Sequence, residues 1–369
     1  RAAGEITPTD GAVTGGELDP SRRETAGDER DPSRRKAVGD ERAPLRLGIA
    51  GCGRIVERGY VPAALATPGV TIAAFADPDP ERLAGCRELW ERGGGKAAGY
   101  ADVATLLERE SVDLLVVAAP AGAHVPLAEA AAVAGVRSLV EKPPAPDLAG
   151  AQRLAALEPE PLLAFNRRFL QGVELLEKVP DEGWLELDLE LRFRQTAWGA
   201  YVVRDEALLD AGVHLVDLAC NLSGAAPIAV RRAVVEPQRA QFELELSRGR
   251  ARVRCATDRR YREAVVVRDR GGKLFARSVH GQVRGRLASL RGTPEPLVLS
   301  LSRQLAALRD AGSTDPAFVP SGGMPPKGRT PLATAGDGAV AMAVVEAVRE
   351  SAALDGAEVT VDIGAGVPA

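Results

Sequence analysis

Long apolar runs are what this sequence most plainly lacks. No stretch approaches the roughly 20 residues a membrane-spanning helix requires, so no membrane partner is expected. Cysteine is scarce: Cys52, Cys86, Cys220 and Cys255 lie far apart and form no C-x-x-C pair. That spacing implies neither a disulfide framework nor a zinc site, and no metal is expected. Histidine is scarcer still, with only His124, His214 and His280. A site that needs imidazole has few choices. Net charge is also lacking: 47 Lys and Arg face 51 Asp and Glu, for a total of −4. Such a balance exerts no general pull toward nucleic acid. The first residues carry no apolar signal core, which favours a cytoplasmic protein.

What is present is an ordinary globular composition, 45% apolar and 27% charged over 369 residues. At about 150 residues per domain, that length suggests two domains. Residues 1–43 differ from the rest. They contain a twelve-residue tandem repeat, Asp19–Arg30 and then Asp31–Arg42, rich in charge and poor in apolar residues. Too little apolar surface is available there to offset the entropy of ordering. We expect a disordered tail. An Arg-rich arm for RNA is the competing reading, weakened by the alternating acidic residues.

From Leu45 onward, short apolar segments alternate with helical patterns. Leu45–Ala50, Val70–Ala76, Val112–Ala118 and Val136–Glu141 read as strands. Val56–Ala66, Pro80–Glu91 and Val125–Ala134 read as helices. Almost uniformly apolar strands between helices predict a parallel sheet covered on both faces. The pattern changes near residue 145. Leu185, Leu187, Leu189, Leu191 and Phe193 alternate with polar residues, as in a half-solvated strand. Further strands are expected at 229–235, 241–246, 251–256 and 264–268, a loop at 312–331 and a long helix at Ala335–Ala353. The predicted architecture is an α/β Rossmann domain over 44–145, followed by an α+β domain over 146–369 with an open, mostly antiparallel sheet. The last helix is expected to pack back on the first domain.

Three clusters carry chemistry. Gly51-Cys52-Gly53-Arg54-Ile55-Val56 follows the first strand and opens the first helix. Gly51 permits a tight turn and Gly53 a close approach to pyrophosphate, which the helix N-terminus holds. Asp77 ends the second strand, where a carboxylate accepts both ribose hydroxyls and favours NAD, with NADP possible. It also suits a plain turn before Pro78. Glu141-Lys142-Pro143 closes the fourth strand, at the sheet edge where such folds bind ligands. Lys142 is there either a catalyst or a solvated charge. In the apolar segment Leu208–Leu222, Asp210, His214, Asp217 and Asn221 share one helical face. That stripe is either a solvated face or a site in which aspartate orients a proton-transferring imidazole. A metal pair is a third reading, and no third ligand is evident.

Taken in order, these motifs resemble the Gfo/Idh/MocA oxidoreductases, the family of glucose–fructose oxidoreductase and inositol dehydrogenase. Ala119-Pro120 with His124, Phe165–Phe169 and the helix from Gly336-Asp337-Gly338 to Ser351 add to the resemblance, which runs from Leu45 to Val361. It implies Lys142, Asp210 and His214 as the catalytic group: histidine takes the hydroxyl proton, lysine steadies the alkoxide, and aspartate orients the site. It implies Gly51, Cys52, Gly53, Arg54, Ile55, Asp77, Pro120, His124 and Glu141 as cofactor contacts, with His124 beside the nicotinamide. Arg167, Trp198 and Asp217 are substrate candidates. Arg168, Arg192 and Arg194 would join them to suit an anionic substrate group, or are surface charges. Val56 and Ala121 depart from the family's usual small residue and Asn. The implied activity is hydride transfer between a nicotinamide cofactor and a hydroxyl of a sugar, polyol or nucleotide sugar. A catalytically silent dinucleotide sensor is the alternative. A homo-oligomer is expected, formed by covering the open face of the second sheet.

Overall fold

The computed structural model describes residues 43–198, 205–281, 295–311 and 331–364, without the side chains of 171–173 and 197–198. The expected disordered tail and most of the 312–331 loop lie outside the described residues.

The chain begins with β1 (Leu45–Ala50), a π-turn (Val56–Tyr60) running into α1 (Val61–Leu65), β2 (Val70–Ala76), α2 (Pro80–Arg92), β3 (Ala98–Tyr100) and α3 (Val103–Arg109). It continues through β4 (Leu114–Val117), α4 (His124–Val133), β5 (Arg137–Val140), α5 (Leu148–Ala155) and β6 (Leu162–Leu163). Then come α6 (Val173–Leu176), β7 (Leu185–Arg194), a second π-turn (Leu208–Gly212) continuing as α7 (Val213–Ser223), and the strands β8 (Pro227–Glu236), β9 (Arg239–Leu246), β10 (Gly249–Ala256), β11 (Asp258–Asp269) and β12 (Leu274–Gly281). The described chain closes with α8 (Pro296–Ala311), β13 (Ala333–Thr334), α9 (Ala335–Ala353) and β14 (Val359–Thr360).

The first sheet has the order β13-β6-β5-β4-β1-β2-β3 and is parallel except for β13. Leu47, Ile49, Leu115, Val116 and Leu139 are fully buried, as strands covered on both faces must be. Each such side chain contributes about 1.5–3 kcal/mol by leaving water. Local chemistry sets the helix starts. The Asp79 carboxylate accepts the Glu81 and Arg82 amides, and Pro80 fills the first turn of α2. Asp102 and Asp147 cap α3 and α5 in the same way.

The second sheet has the order β12-β11-β7-β10-β9-β8-β14. Its pairs are antiparallel apart from β7 with β10. Leu185, Leu187, Leu189 and Leu191 face inward, as their alternation predicts. The outward face is charged, not apolar. Arg250 pairs with Glu186, Arg252 with Asp188, Arg231 and Arg232 with Glu243, and Arg262 with Glu190. The physical reason given from sequence for a homo-oligomer, an apolar face to cover, is therefore not met.

In the middle and end of the chain α6, β12, α8 and β13 went unforeseen, as did β3 and α3 earlier. Of these, α8 sends Leu301, Leu305 and Leu308 into the core formed by Ile49, Tyr60 and Val61. Gly59 permits this approach: a Cβ there would lie 2.7 Å from a Leu301 methyl. The final helix, α9, begins with a capping box of Thr334 and Asp337 and lies against both α5 and β8.

Candidate active site

The carboxyl ends of β1, β2, β4 and β5 converge on one edge of the first sheet. Gly51 leaves β1 at φ +93°, and a Cβ there would sit 2.7 Å from the Ala118 carbonyl oxygen. Only glycine fits this turn. The Cys52 amide donates to Asp77 Oδ2 at 2.7 Å, and the Asp79 amide to Asp77 Oδ1 at 2.8 Å. Arg82 adds a guanidinium contact to Oδ1 at 2.8 Å. Burial raises the Asp77 pKa, but these donors outweigh it and hold the carboxyl below its usual value. Gly53 and Ile55 are half-buried and Arg54 is exposed beside Glu57. The helical run from Arg54 opens directly from this loop, so a dinucleotide pyrophosphate fits the cradle. Val56, the departure from a small residue, is fully buried within the π-turn.

Pro120 and Ala121 follow β4, and Pro120 precedes a short 3-10 turn, Ala121–Ala123. His124 is 1% exposed. Its Nδ1 lies 3.0 Å from the Pro143 carbonyl and its Nε2 2.8 Å from that of Ala119. A neutral ring donates to only one of these oxygens. Burial lowers its pKa despite both carbonyls. His124 thus ties the loop after β4 to the loop after β5.

The Lys142–Pro143 bond is cis. Glu141 is buried, with Oε1 accepting the Tyr60 hydroxyl at 2.8 Å and Oε2 the Lys142 amide at 3.2 Å. Burial raises the Glu141 pKa, opposed by Tyr60 and Lys142. The Lys142 ammonium reaches the Asp210 carboxylate and, at 3.0 Å, the Asp210 carbonyl oxygen. Burial disfavours the ammonium, yet Asp210 and Glu141 raise its pKa overall. The other Asp210 oxygen accepts the Gln195 amide at 3.0 Å. Aspartate therefore orients the lysine, and no hydrogen bond joins it to His214 among the described residues.

The polar stripe on Leu208–Leu222 is not a solvated face. His214, Asp217 and Asn221 are all buried. The π-turn at Leu208–Gly212 widens the helix there and carries Asp210, while His214 opens the regular α7. His214 packs edge-on against Phe165, with ring centroids 5.9 Å apart. Its Nδ1 has no partner among the described residues. Burial, then the nearby charges of Lys142 and Arg167, push its pKa well below 6.5. The ring is neutral near pH 7 and able to accept a proton.

The arginines are already paired. Arg167 donates to the fully buried Glu263 at 2.8 Å, and Tyr261 donates to the same oxygen at 3.1 Å. Arg168 forks onto Asp217 at 2.9 and 3.1 Å and also meets Asp337. Asp217, a substrate candidate in sequence, has its carboxylate committed to Arg168. Arg192 pairs with Glu190 on the charged outer face, and Arg194 is exposed at the end of β7. The side chain of Trp198 lies outside what is described. Sequence reasoning missed Tyr60, Gln195, Asp205 and Glu263. Asp205 adds its carbonyl to Gln195 at 3.2 Å, and burial raises its own pKa. Gln195 directly follows a recognisable strand, β7 of the second sheet, which is the one signal that pointed to it.

Residues 45–162 match the family described as "Oxidoreductase family, NAD-binding Rossmann fold". D-apiose dehydrogenase from Paraburkholderia graminis is 31% identical over 192 residues, 48% of this chain and 49% of that protein. Inositol 2-dehydrogenase from Corynebacterium glutamicum is 28% identical over 192 residues, 50% of this chain and 56% of that protein. This chain thus spans about half the length of such relatives. The fold is shared with myo-inositol dehydrogenase from Lactobacillus casei, solved with NAD(H) and myo-inositol, at a TM-score of 0.66 and 17% identity over 88% of this chain and 98% of that one. Together with the Gly51 cradle and the strand-end Asp77, these matches assign residues 45–162 to the NAD-binding Rossmann domain of the Gfo/Idh/MocA oxidoreductases.

Proposed function

We propose that this protein is an NAD-dependent dehydrogenase or reductase that acts on a CH–OH group of an uncharged sugar or polyol. The observation that carries the proposal is the grip of Asp210 on Lys142 at the carboxyl edge of the dinucleotide domain. His214, kept neutral by burial, belongs to the same cluster.

Gly51, Cys52, Gly53, Arg54 and Ile55 would hold the pyrophosphate, and Asp77 the ribose. Pro120, His124 and Glu141 would shape the nicotinamide end. The bound dinucleotide supplies the hydride acceptor or donor. The protein's own residues manage the proton. His214 accepts it from the substrate hydroxyl during oxidation and returns it during reduction. Lys142 donates a hydrogen bond to the same oxygen and stabilises its developing negative charge. Asp210 and Gln195 fix the lysine before substrate arrives, so that little reorganisation is needed at the moment of reaction.

The paired arginines favour an uncharged substrate. Glu263 balances the charge of Arg167 through Nη1, and Asp217 balances that of Arg168, so neither guanidinium brings an uncompensated positive charge to a phosphate or carboxylate. Relatives named for D-apiose and inositol agree with this class, while those named for a dTDP-linked sugar make nucleotide sugars its direct competitor. Asp77 favours NAD, because a carboxylate repels a 2′-phosphate. Any second copy docking on the charged outer face would be held by ion pairs and would loosen as salt rises.

The test is NADH formation over a panel of inositols, aldoses, sugar acids and nucleotide sugars, with NAD and NADP in parallel. Turnover of an uncharged polyol or aldose with NAD supports the proposal. Turnover of sugar acids or nucleotide sugars alone rejects the uncharged class. Tight NADH binding without any turnover revives the sensor.

A further inference from the structure

We propose that Tyr60 is a positioning residue for Lys142, acting through the carboxylate of Glu141. The two ends of this link are 81 residues apart in sequence. Tyr60 closes the π-turn that follows the phosphate cradle and is fully buried. Its hydroxyl donates to Glu141 Oε1 at 2.8 Å, and Glu141 Oε2 accepts the Lys142 backbone amide at 3.2 Å. The chain of contacts thus runs from the helix that follows the glycine cradle to the backbone of Lys142.

Chemistry gives this link a purpose that packing does not. Phenylalanine would fill the same space without burying a hydroxyl, and an apolar residue at 141 would avoid burying a carboxylate. Burial of both groups costs free energy that hydrogen bonding only partly returns. What the pair provides is a buried carboxylate on the Lys142 backbone amide, whose ionised form Tyr60 favours against the burial that opposes it. Arg167 also acts on Glu141, and Asp210 and Asp205 act on Lys142 from the segment before α7. Among the described residues, Tyr60 is the one side chain that donates a hydrogen bond to the Glu141 carboxylate. Its hydroxyl favours the ionised form of Glu141, which in turn favours the charged form of Lys142. Loss of the hydroxyl lets Glu141 take up a proton more easily and removes the charge that helps hold Lys142 protonated. π-turns recur at functional sites in helices, and this one brings Tyr60 to Glu141.

The inference rests on the catalytic reading of Lys142, so the experiment reads the lysine itself. Lys142 is labelled with acetic anhydride in the intact protein over a range of pH, and modification at that position is followed by mass spectrometry. Tyr60→Phe is expected to label about tenfold faster near pH 8, the change a one-unit fall in pKa produces. NADH binding, measured by fluorescence, should stay at the wild-type level. Glu141→Gln, which keeps the shape and removes the charge, should shift the profile further in the same direction. It also serves if Tyr60→Phe fails to fold. Unchanged Lys142 labelling in a folded variant, with only the melting temperature lowered, would overturn the proposal and make the pair a structural one. Should Lys142→Met retain turnover, the catalytic reading fails, and the labelling still reports whether Tyr60 governs the lysine.

Discussion

The ammonium of Lys142 is held twice by Asp210, once by its carboxylate and once by its backbone carbonyl, across 68 residues of sequence. A surface lysine at a strand end would be free to rotate. This one is four-fifths covered, with 20% of its side chain exposed, and points along one direction. Lys142→Met is therefore expected to lower kcat by about 10²–10³-fold, the range for loss of one donor that stabilises a developing oxyanion. NADH binding should be unaffected. Steady-state rates and a fluorescence titration check both halves, and a variant with wild-type kcat removes Lys142 from the mechanism.

Gln195 makes a separate prediction. Its amide is the donor to the second Asp210 oxygen. Gln195→Leu leaves that oxygen without it and frees the carboxylate to turn away from Lys142. A hydrogen bond to a charged group contributes about 1.5–3 kcal/mol, so kcat should fall by roughly tenfold or more. KM should change little, because Gln195 steadies a catalytic group and does not itself grip substrate. A change confined to KM would place Gln195 against the substrate.

How much of this was legible in the sequence depends on the range of the interaction. The Rossmann strands were readable because burial on both faces forces unbroken apolar segments, and α9 was readable because its periodicity runs over five turns. The short edge strand β3 was not, since Ala98–Tyr100 has neither length nor apolar character. Helix α8 does carry a local signal, Pro296 at its first position and Leu297, Leu301, Leu305 and Leu308 at helical spacing, and this period was missed. In the site, residue types were legible and partners were not. The helical wheel put Asp210 beside His214, whereas the structure commits Asp210 to Lys142 and Gln195 and commits Asp217 to Arg168. A wheel carries no information about contacts 49 or 68 residues away.

The protonation state of His214 predicts a pH dependence. Its folded pKa lies well below 6.5 because the ring is buried and faces Lys142 and Arg167. A base of this kind is fully active above its pKa. kcat/KM for oxidation should stay flat from pH 8 down to 6.5 and fall only below that. The sign for stability is the same. A depressed histidine pKa contributes nothing adverse above the unfolded value, and the fold loses stability as pH drops from 6.5 toward the folded pKa. Urea unfolding at pH 8 and pH 5.5 should show a larger loss in wild type than in His214→Gln. Equal losses would mean that the ring charges freely in the folded state.

Arg168 and Asp217 form the one ion pair with both side chains almost wholly enclosed among the described residues, 3% and 1% exposed. Such a pair is a poor source of net stability, because desolvation offsets the attraction, but its rupture is costly. Asp217→Asn removes the carboxylate that Arg168 forks onto and leaves Asp337 facing the buried guanidinium. About 3–5 kcal/mol should be lost in urea unfolding. The double variant Arg168→Met with Asp217→Leu removes both charges and should recover much of that loss. Its folded fraction should bind substrate with wild-type KM if the pair braces α7 from behind. A KM raised tenfold in a double variant of recovered stability would instead put Asp217 at the substrate, where the sequence pattern alone had suggested it.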